Sequence, residues 1–349
     1  MTPLSPPTAF SLWNDFTVSL PSPVPFSFNP SLFNFYRRHF AWKPYYLLLY
    51  HKGKLSGLFP LVNTGKAWVS LPHFSYGGVL LNHNTELNRE KLIKSLIVSI
   101  EKEKAGPGFY RVDLDVLPEP EKMKRPLYIR SLKPLNEKTG YTKVTSLINL
   151  PVDEEVLFQQ LSANLRRKIR KAGKEKFDVK YGKQELLNDF YSVYTRNMYR
   201  LGSPAYCFSF FKELMATYDF GEALFFVVYK DKKPAGAAML MSYSGFWENT
   251  WFSTTKEAQK AYVSDFLHEQ MIKYAIQQKA RVYSMGRSNK NGSVFQYKNH
   301  WPVKNIPLYE LSFHQIIDVK NYRWLSHLWR KIPYPIACRL GSKLIKHIY

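Results

Sequence analysis

Basic side chains are concentrated in residues 162–183. Such a cluster of cations could bind phosphate groups. Nine Lys and Arg residues occur there with two acidic ones. Arg presents a planar fork of N–H donors that fits two phosphate oxygens at once. Arg166, Arg167 and Arg170 recur on a single predicted helix. The segment therefore predicts either a phosphate-binding helix or, with equal weight, a solvated basic helix face.

A second basic segment lies at residues 316–349. It contains seven basic residues and one acidic residue among Trp, Leu and Ile side chains, and Pro333 and Pro335 divide it into two short predicted helices. Trp and Tyr beside Lys and Arg are typical of a segment in a membrane interface. The alternative is a pair of helices docked on the protein's own core. Peripheral contact with an anionic membrane through residues 316–349 is one of these two predictions.

Composition limits the remaining classes of protein. The chain has 349 residues and a formal net charge of +23, a length that predicts about two domains. The cysteines Cys207 and Cys338 are too few for a disulfide framework, and the sequence has no signal-peptide pattern. We therefore expect a cytoplasmic protein. The histidines lack metal-ligand spacing, so no metal site is expected. The sequence also lacks the phosphate-loop, dinucleotide-binding and serine-hydrolase motifs.

The elements that must position these residues alternate strands with helices. Two hairpins are predicted over 45–62 and 223–243, and each half of the chain then runs through a strand or loop, a helix and a strand. The remaining predicted elements are helices at 89–104, 155–173, 185–199, 208–217 and 264–278, strands at 110–116, 246–253 and 281–285, and a turn at 286–288. This order predicts duplicated domains of the α/β (α+β) class, with mixed sheets flanked by helices. The predicted boundaries are an irregular lead-in at 1–30, domains at 31–145 and 146–315, and basic helices at 316–349.

Four segments carry a recognisable pattern. They are SLPHFSYGGVLLN at 70–82, LSANLRRKIRKA at 161–172, YRLGSP at 199–204 and MGRSNKNGSVFQYKNHW at 285–301. Together they resemble the FemAB-like branch of the GNAT acyltransferase superfamily, with a BioF2-like acetyltransferase domain. The resemblance is closest to members associated with exopolysaccharide and PEP-CTERM gene clusters. It implies tandem GNAT-like domains, with the reaction cleft in or beside the second.

The resemblance also implies where the reaction takes place. In such folds two parallel strands, here 246–253 and 281–285, separate and leave a gap for the carbonyl of the acyl donor. The family lysine matches Lys298, and a cation beside the carbonyl or the donor phosphate would stabilise developing negative charge. A solvent-facing lysine is the alternative interpretation of Lys298. Glu248 and Asp265 are the further catalytic candidates, either one as general base, a role that Tyr262 could also fill.

The candidate substrate-binding residues lie on the basic helix, in the 70–82 loop and around the implied cleft. Arg200 has a structural ion pair as its alternative role. The full set is Arg166, Arg167, Arg170, Arg200, Tyr76, Gly77, Gly78, Trp251, Tyr262, Arg287, Ser288, Tyr297 and Trp301.

The sequence does not identify the acyl donor. GNAT enzymes that use coenzyme A hold its pyrophosphate on a glycine-rich loop at a helix N-terminus. The corresponding stretch here, Thr254–Asp265, contains no glycine. FemAB enzymes use aminoacyl-tRNA, but the long heptad arm of some members is absent. Acyl-CoA, acyl carrier protein and aminoacyl-tRNA therefore remain as candidate donors.

These observations predict an acyltransferase that moves an acyl or aminoacyl group to an amine of a cell-envelope or exopolysaccharide precursor. Its partners would be that phosphorylated precursor and an acyl carrier protein or tRNA. Peptidoglycan belongs to the same class of target. Two alternatives remain: an N-acyltransferase of a lipid or sphingoid amine, and a non-catalytic GNAT-like module that binds tRNA or anionic lipid.

Overall fold

A computed structural model describes residues 6–82, 109–110, 143–308, 311–312 and 323–346 of the chain. The predicted helix at 89–104, most of the predicted strand at 110–116 and residues 316–322 and 347–349 of the tail lie outside these residues. The helices are α1 (Pro6–Ser19), α2 (Leu32–Phe40), α3 (Glu154–Gln160), α4 (Ala163–Gly173), α5 (Leu187–Leu201), α6 (Phe208–Thr217), α7 (Lys256–Gln259), α8 (Val263–Gln277), α9 (Ser293–Lys298), α10 (Arg323–Trp329) and α11 (Tyr334–Ile345). The strands are β1 (Lys43–His51), β2 (Lys54–Asn63), β3 (Trp68–Val69), β4 (Leu80–Leu81), β5 (Phe109–Tyr110), β6 (Lys143–Asn149), β7 (Asp178–Gly182), β8 (Ala223–Lys230), β9 (Lys233–Tyr243), β10 (Phe246–Thr254), β11 (Val282–Asn289), β12 (Lys304–Leu308) and β13 (Leu311–Ser312).

The larger sheet has seven strands in the order β12-β6-β11-β10-β9-β8-β7. In it β10 and β11 run parallel, and the other neighbouring strands run antiparallel. A smaller sheet contains β1, β2 and β3, with β4 also paired to β2. Helices flank these mixed sheets, which confirms the predicted fold class.

Residues 6–19 form a helix, whereas the sequence predicts an irregular lead-in over 1–30. Two prolines begin this helix at little cost, because the first N–H groups of a helix have no partner within it. Trp13, Phe16 and Leu20 are buried, and the Trp13 indole N–H donates to the Phe28 carbonyl at 2.7 Å. Packing of these apolar side chains explains why the segment is helical.

The predicted helix over 155–173 is divided into α3 and α4. The Ser162 hydroxyl accepts a hydrogen bond from the Leu165 N–H at 3.3 Å, which makes Ser162 the N-cap of a new helix. The apolar stripe continues across the break through Leu157, Leu161, Leu165, Ile169 and Ala172, all buried. The stripe alone could not reveal the break, because both helices bury it against the same core.

The larger sheet separates two cores. Alternate residues of β8 point to opposite faces: Phe225 and Val227 join a core with α1, α2, α5 and α6, while Phe226 and Val228 join a core with α3, α4 and α8. The N-terminal helices therefore pack directly on the second predicted domain. In addition, β6 crosses the predicted boundary between residues 145 and 146 and belongs to the larger sheet.

The helices α10 and α11 are separated by residues 330–333, which end at Pro333, whereas Pro335 lies in the first turn of α11. The helix α11 packs against α5. Within the ranges given above, no helix combines the length and the hydropathy needed to cross a bilayer.

Candidate functional site

The parallel strands β10 and β11 pair over three residue pairs only, the last being Glu248 with Ser284. Each strand then has an irregular register with its outer neighbour: β10 between Asn249 and Trp251, and β11 between Ser284 and Arg287. Such bulges bend a strand and end regular pairing. The two irregularities lie at the same level of the sheet, so β10 and β11 separate beyond it.

Gly286 occupies the β11 irregularity with a φ of +74°, a conformation that side chains larger than hydrogen disfavour. A Cβ atom there would lie 3.3 Å from the Asn249 carbonyl oxygen and 3.8 Å from Glu248 Oε1. The predicted turn at 286–288 is therefore part of β11, which continues to Asn289. Its glycine and polar residues reflect the bulge rather than the end of the strand.

Lys298, the last residue of α9, points back to this bulge. Its Nζ donates to the carbonyl oxygens of Gly286 at 2.7 Å and Arg287 at 3.1 Å, and the residue is 5% exposed. Burial lowers the pKa of Lys298 to about 8, while nearby Glu248 acts in the opposite direction. The amine is therefore mostly a cation at neutral pH. An ammonium group has three N–H bonds, and two of them hold these carbonyls.

Glu248 is the carboxylate whose charge raises the pKa of this ammonium group. The residue is 0% exposed, and its Oε1 accepts a hydrogen bond from the Ser75 hydroxyl at 2.5 Å. Ser75 belongs to the loop between β3 and β4, within the smaller sheet's part of the chain. A buried carboxylate is stable when charged partners and hydrogen bonds replace its hydration. Both parts of the protein thus contribute to the surroundings of the Glu248 carboxylate.

Tyr76 follows Ser75 and ties the same loop to the larger sheet. Its hydroxyl hydrogen-bonds to Thr145 Oγ1 at 2.5 Å and to Ser284 Oγ at 2.6 Å. Gly77 is needed because a Cβ there would lie 2.7 Å from the Ser70 carbonyl oxygen. The loop glycines thus allow backbone to approach backbone. Tyr76, Gly77 and Gly78 are buried beneath the point where the strands separate.

Two buried polar atoms on the separating strands have no hydrogen-bond partner within the described residues. They are Oδ1 of Asn249 on β10 and Oγ of Ser288 on β11. A buried polar atom that lacks a partner costs free energy, so such atoms indicate a site for a ligand or water. Arg287, between Gly286 and Ser288, is half-buried.

His268 is the site's second buried basic side chain. Burial and, to a smaller extent, the Lys298 charge lower the pKa of His268 to about 3, so the imidazole is neutral. Its ring stacks on Phe252 with centroids 4.4 Å apart, and Nδ1 lies 3.4 Å from the Tyr283 hydroxyl. Sequence reasoning missed His268 and Ser75. The available signals were the spacing of His268 three residues after Asp265 on one helix and the position of Ser75 inside the FSYGG motif.

Asp265 is buried in the first turn of α8. Burial raises the pKa of Asp265, and Lys168 on the basic helix α4 opposes this shift. Burial, with a smaller effect of Asp265, raises the pKa of Tyr297 well above its ordinary value. The rings of Tyr297 and Trp301 each lie 5.8 Å from that of His268. The structure thus brings these predicted residues together on one side of Lys298.

The other predicted residues lie farther from this centre or face solvent. Trp251 packs on Phe211, with ring centroids 5.2 Å apart. The Arg167 and Arg200 guanidinium groups donate to Asn164 Oδ1 at 2.9 Å and Asn197 Oδ1 at 2.6 Å. Arg200 thus has an amide partner where the sequence left an ion pair open.

Two of the three predicted arginines of α4 are exposed. Arg167 and Arg170 face solvent and Arg166 is half-buried. The Arg170 guanidinium carbon lies 5.5 Å from the centre of the Phe158 ring. Because α4 packs against α8, these cations stand beside the helix that carries Asp265 and His268.

The start of α8 is where a GNAT domain would hold the coenzyme A pyrophosphate. Tyr262, at φ +59°, precedes the helix, and the acidic Asp265 occupies its first turn. A carboxylate is itself stabilised by a helix N-terminus, so a pyrophosphate there would meet a negative charge as well as N–H donors. These residues do not fit the usual cradle. Across the described ranges, no group of three or more His, Cys, Asp or Glu side chains is placed to hold a metal ion.

Comparisons with known proteins place this site in a family context. Residues 159–299 match the family described as Acetyltransferase (GNAT) domain. The structure of FemX is similar with a TM-score of 0.64 and 14% identity, over 93% of this chain and 99% of that one. A comparison with curated protein sequences found no match.

Two further structures share the fold. The C-terminal domain (DUF2156) of a putative lysylphosphatidylglycerol synthetase from Agrobacterium fabrum has a TM-score of 0.53 and 9% identity, over 94% of this chain and 96% of that one. A tandem GNAT protein from the clavulanic acid biosynthesis pathway has a TM-score of 0.53 and 10% identity, over 90% and 99%. The matched region contains α4, the separating strands and Lys298, which confirms the predicted resemblance to GNAT proteins, and the likeness to FemX is one of fold. These matches support an acyltransferase of GNAT type as the general class.

Proposed function

Because residues 159–299 form a GNAT-type domain inside a FemX-like fold, we propose that the protein transfers an acyl or aminoacyl group to an amine of a cell-envelope or exopolysaccharide precursor. The observation that carries this proposal is the buried Lys298 ammonium group at the point where β10 and β11 separate. A cation held where two strands separate is suited to a carbonyl that gains negative charge.

The proposed reaction is direct attack of the acceptor amine on the donor carbonyl carbon. A C–N bond forms and the carbonyl oxygen becomes an oxyanion. When the carbonyl forms again, the bond to the donor sulfur or oxygen breaks, and the donor leaves as a thiol or alcohol after taking up a proton equivalent to the one that the amine lost. The third N–H of Lys298 stabilises the oxyanion or the donor phosphate. The amine must also lose a proton. Glu248 is better placed than Asp265 to accept it, because Glu248 lies at the gap itself, next to Gly286.

The acceptor is proposed from charge. The exposed arginines of α4 suit a phosphorylated precursor, and Ser288 and Asn249 offer buried polar atoms to a substrate in the gap. Acyl-CoA, acyl carrier protein and aminoacyl-tRNA all remain as donors, although the start of α8 argues against coenzyme A held by its pyrophosphate alone. We place the protein in the cytoplasm, on the inner face of the cytoplasmic membrane, where envelope precursors are made.

The test is a deletion strain complemented with wild type, with Lys298→Ala or with the exposed-lysine control Lys279→Ala. Untargeted mass spectrometry of envelope glycans and lipids measures the result. We expect an N-acylated or aminoacylated species that wild type and Lys279→Ala restore and Lys298→Ala does not. Restoration by a stably expressed Lys298→Ala protein would contradict the role given to this lysine.

A lipid or sphingoid amine is the second candidate acceptor. The observation that favours it is the apolar surface that α10 and α11 expose beside basic side chains. The same mass spectrometry separates the two acceptors, since the acylated species would appear in the lipid fraction rather than among the glycans.

A further inference from the structure

The helices α10 and α11, residues 323–346, form the C-terminal helix pair, and one face of it is docked on α5. The Tyr334 hydroxyl hydrogen-bonds to Thr195 Oγ1 at 2.7 Å. The Tyr199 hydroxyl donates to the Arg330 and Ile332 carbonyl oxygens at 3.0 and 2.9 Å. These contacts hold the pair both at α11 and at residues 330–333, which connect α10 to α11. The pair is therefore held in place before it meets any partner.

Small residues bring the docked face close to the rest of the protein. A Cβ atom at Gly341 would lie 3.0 Å from the Ala205 backbone nitrogen, and one at Gly202 would lie 2.5 Å from the Ser326 carbonyl oxygen. Ala337, one turn before Gly341, is buried as well. The docking predicted as one alternative for the tail is thus present, and it uses one side of each helix.

A second face of the pair is apolar and open to solvent. Its large side chains are 42–56% exposed, although they are of the types that normally pack inside. On α11 they recur every four residues, which places them on one stripe. Leu201, at the end of α5, adds a further half-exposed side chain. The exposed residues of the pair are Trp324, Leu325, Leu328, Ile336, Leu340 and Leu344.

Basic side chains border this apolar stripe. Residues 323–346 contain six Lys and Arg and neither Asp nor Glu. Arg339 and Lys343 are exposed and, by helical spacing, stand beside Ile336 and Leu340. A row of apolar side chains flanked by cations is complementary to a bilayer surface that carries anionic headgroups. A protein partner would need an acidic rim around an apolar groove to match the same pattern.

We infer that the C-terminal helix pair is a preformed docking surface for an anionic membrane, with α5 as its rigid support. Docking on the protein and contact with lipid are not alternatives here, because they use different faces of the same helices. The inference concerns membrane binding only, and it holds whatever group the enzyme transfers.

The test is sedimentation of the full-length protein with vesicles of phosphatidylcholine containing phosphatidylglycerol, compared with pure phosphatidylcholine. Truncation is unsuitable, because it would uncover the α5 surface that the pair covers. Two triple variants change exposed positions only: Trp324→Gln with Leu340→Gln and Leu344→Gln, and Arg339→Gln with Lys343→Gln and Lys346→Gln. We expect each variant to bind anionic vesicles at least tenfold more weakly than wild type.

Matched controls remove the same chemistry elsewhere on the surface. The apolar control is Val18→Gln with Val152→Gln and Phe220→Gln, and the basic control is Lys232→Gln with Lys260→Gln and Lys279→Gln; all these positions are exposed. Both controls should bind like wild type. Undiminished binding by the tail variants, equal loss in the controls, or a dimer that only the tail variants dissociate would overturn the inference. Thermal unfolding of each variant identifies any loss that comes from misfolding.

Discussion

Lys298 and the arginines of α4 are cations of one GNAT-type domain in opposite surroundings. Lys298 is buried, two of its N–H bonds hold backbone carbonyls, and its pKa is lowered to about 8. Arg167 and Arg170 stand in solvent and have an amide or a ring as neighbours. A buried cation acts over a short distance in a low dielectric, whereas exposed cations act through a screened field.

This difference assigns separate roles to the two regions. The buried ammonium group is suited to a charge that appears at one point during reaction, and the exposed guanidinium groups are suited to holding a phosphate that is charged throughout. Binding that is equal in the ground state and the transition state lowers KM without raising kcat. The first region should therefore govern kcat and the second KM.

Removal of one cation from each region should affect kcat and KM differently. Lys298→Met keeps the length of the side chain, and we expect kcat to fall by about 10²–10³, the loss seen when one donor to an oxyanion is removed. Arg170→Met, at an exposed position of α4, should change mainly KM. Steady-state kinetics on the substrate identified by mass spectrometry provides the measurement. A larger kcat loss in Arg170→Met than in Lys298→Met would reverse the assignment.

The pH dependence of kcat/KM is the second test, because it reports on the buried Lys298 ammonium group and on the Glu248 charge that acts on it. If catalysis needs the Lys298 ammonium, kcat/KM should fall as pH rises through about 8, its pKa in the folded protein. Glu248 raises the pKa of Lys298, so Glu248→Gln should move this fall to lower pH. Since Glu248 is also the proposed base, the rate below the fall should decrease too.

The control for this profile is Glu257→Gln, which removes an exposed carboxylate of α7. It should leave the alkaline fall where wild type has it. A Glu248→Gln enzyme with an unshifted alkaline fall would mean that Lys298 does not titrate in this range or is not needed as a cation.

A substitution of Gly286 tests whether the bulge in β11 is needed to hold Lys298 where β10 and β11 separate. Gly286→Ala combines an unfavourable φ with contact to the Asn249 carbonyl, and we expect a loss of about 1–2 kcal/mol in the free energy of unfolding. Activity should fall as well, because Lys298 bonds to the Gly286 carbonyl. Denaturant unfolding and kinetics measure the two effects.

Gly53 supplies the matched control, since its φ is +75° and a Cβ there would meet nothing within 4 Å. Gly53→Ala should lose stability through backbone strain and keep its activity. Equal activity losses in both variants would show that the effect at Gly286 comes from general destabilisation rather than from the site.

Several residues and elements of the candidate site could be predicted from the sequence, and different kinds of sequence signal indicated them. The family resemblance identified Lys298, and the cleft that it implies made Glu248 and Asp265 candidates; the sequence also predicted a helix over 208–217, where the structure has α6. Local patterns carry such information because helices and strands bury regular stripes. The separation of β10 and β11 followed from the family resemblance.

The remaining features depend on contacts between distant parts of the chain. Ser75 reaches Glu248 across 173 positions, and Tyr76 reaches Ser284 across 208, which no local pattern encodes. The turn predicted at 286–288 is a strand because neighbouring strands supply partners for its backbone. Residues 6–19 of the predicted lead-in are helical because Trp13 and Phe16 pack in a core formed with distant parts of the chain.

The smallest expected effect belongs to the exposed arginines. Arg167→Gln with Arg170→Gln should raise KM for a phosphorylated acceptor a few-fold, because exposed ion pairs contribute about 0.2–1 kcal/mol each. The effect should shrink as salt rises, since the contribution is screened. KM measured at low and high salt, with Lys232→Gln and Lys279→Gln as the charge-matched control, separates local binding from loss of net charge. If the control raises KM equally, the arginines of α4 act only through the net positive charge of the protein. Lys298 would then be a cation with a defined position and role, whereas the arginines of α4 would be part of a generally positive surface.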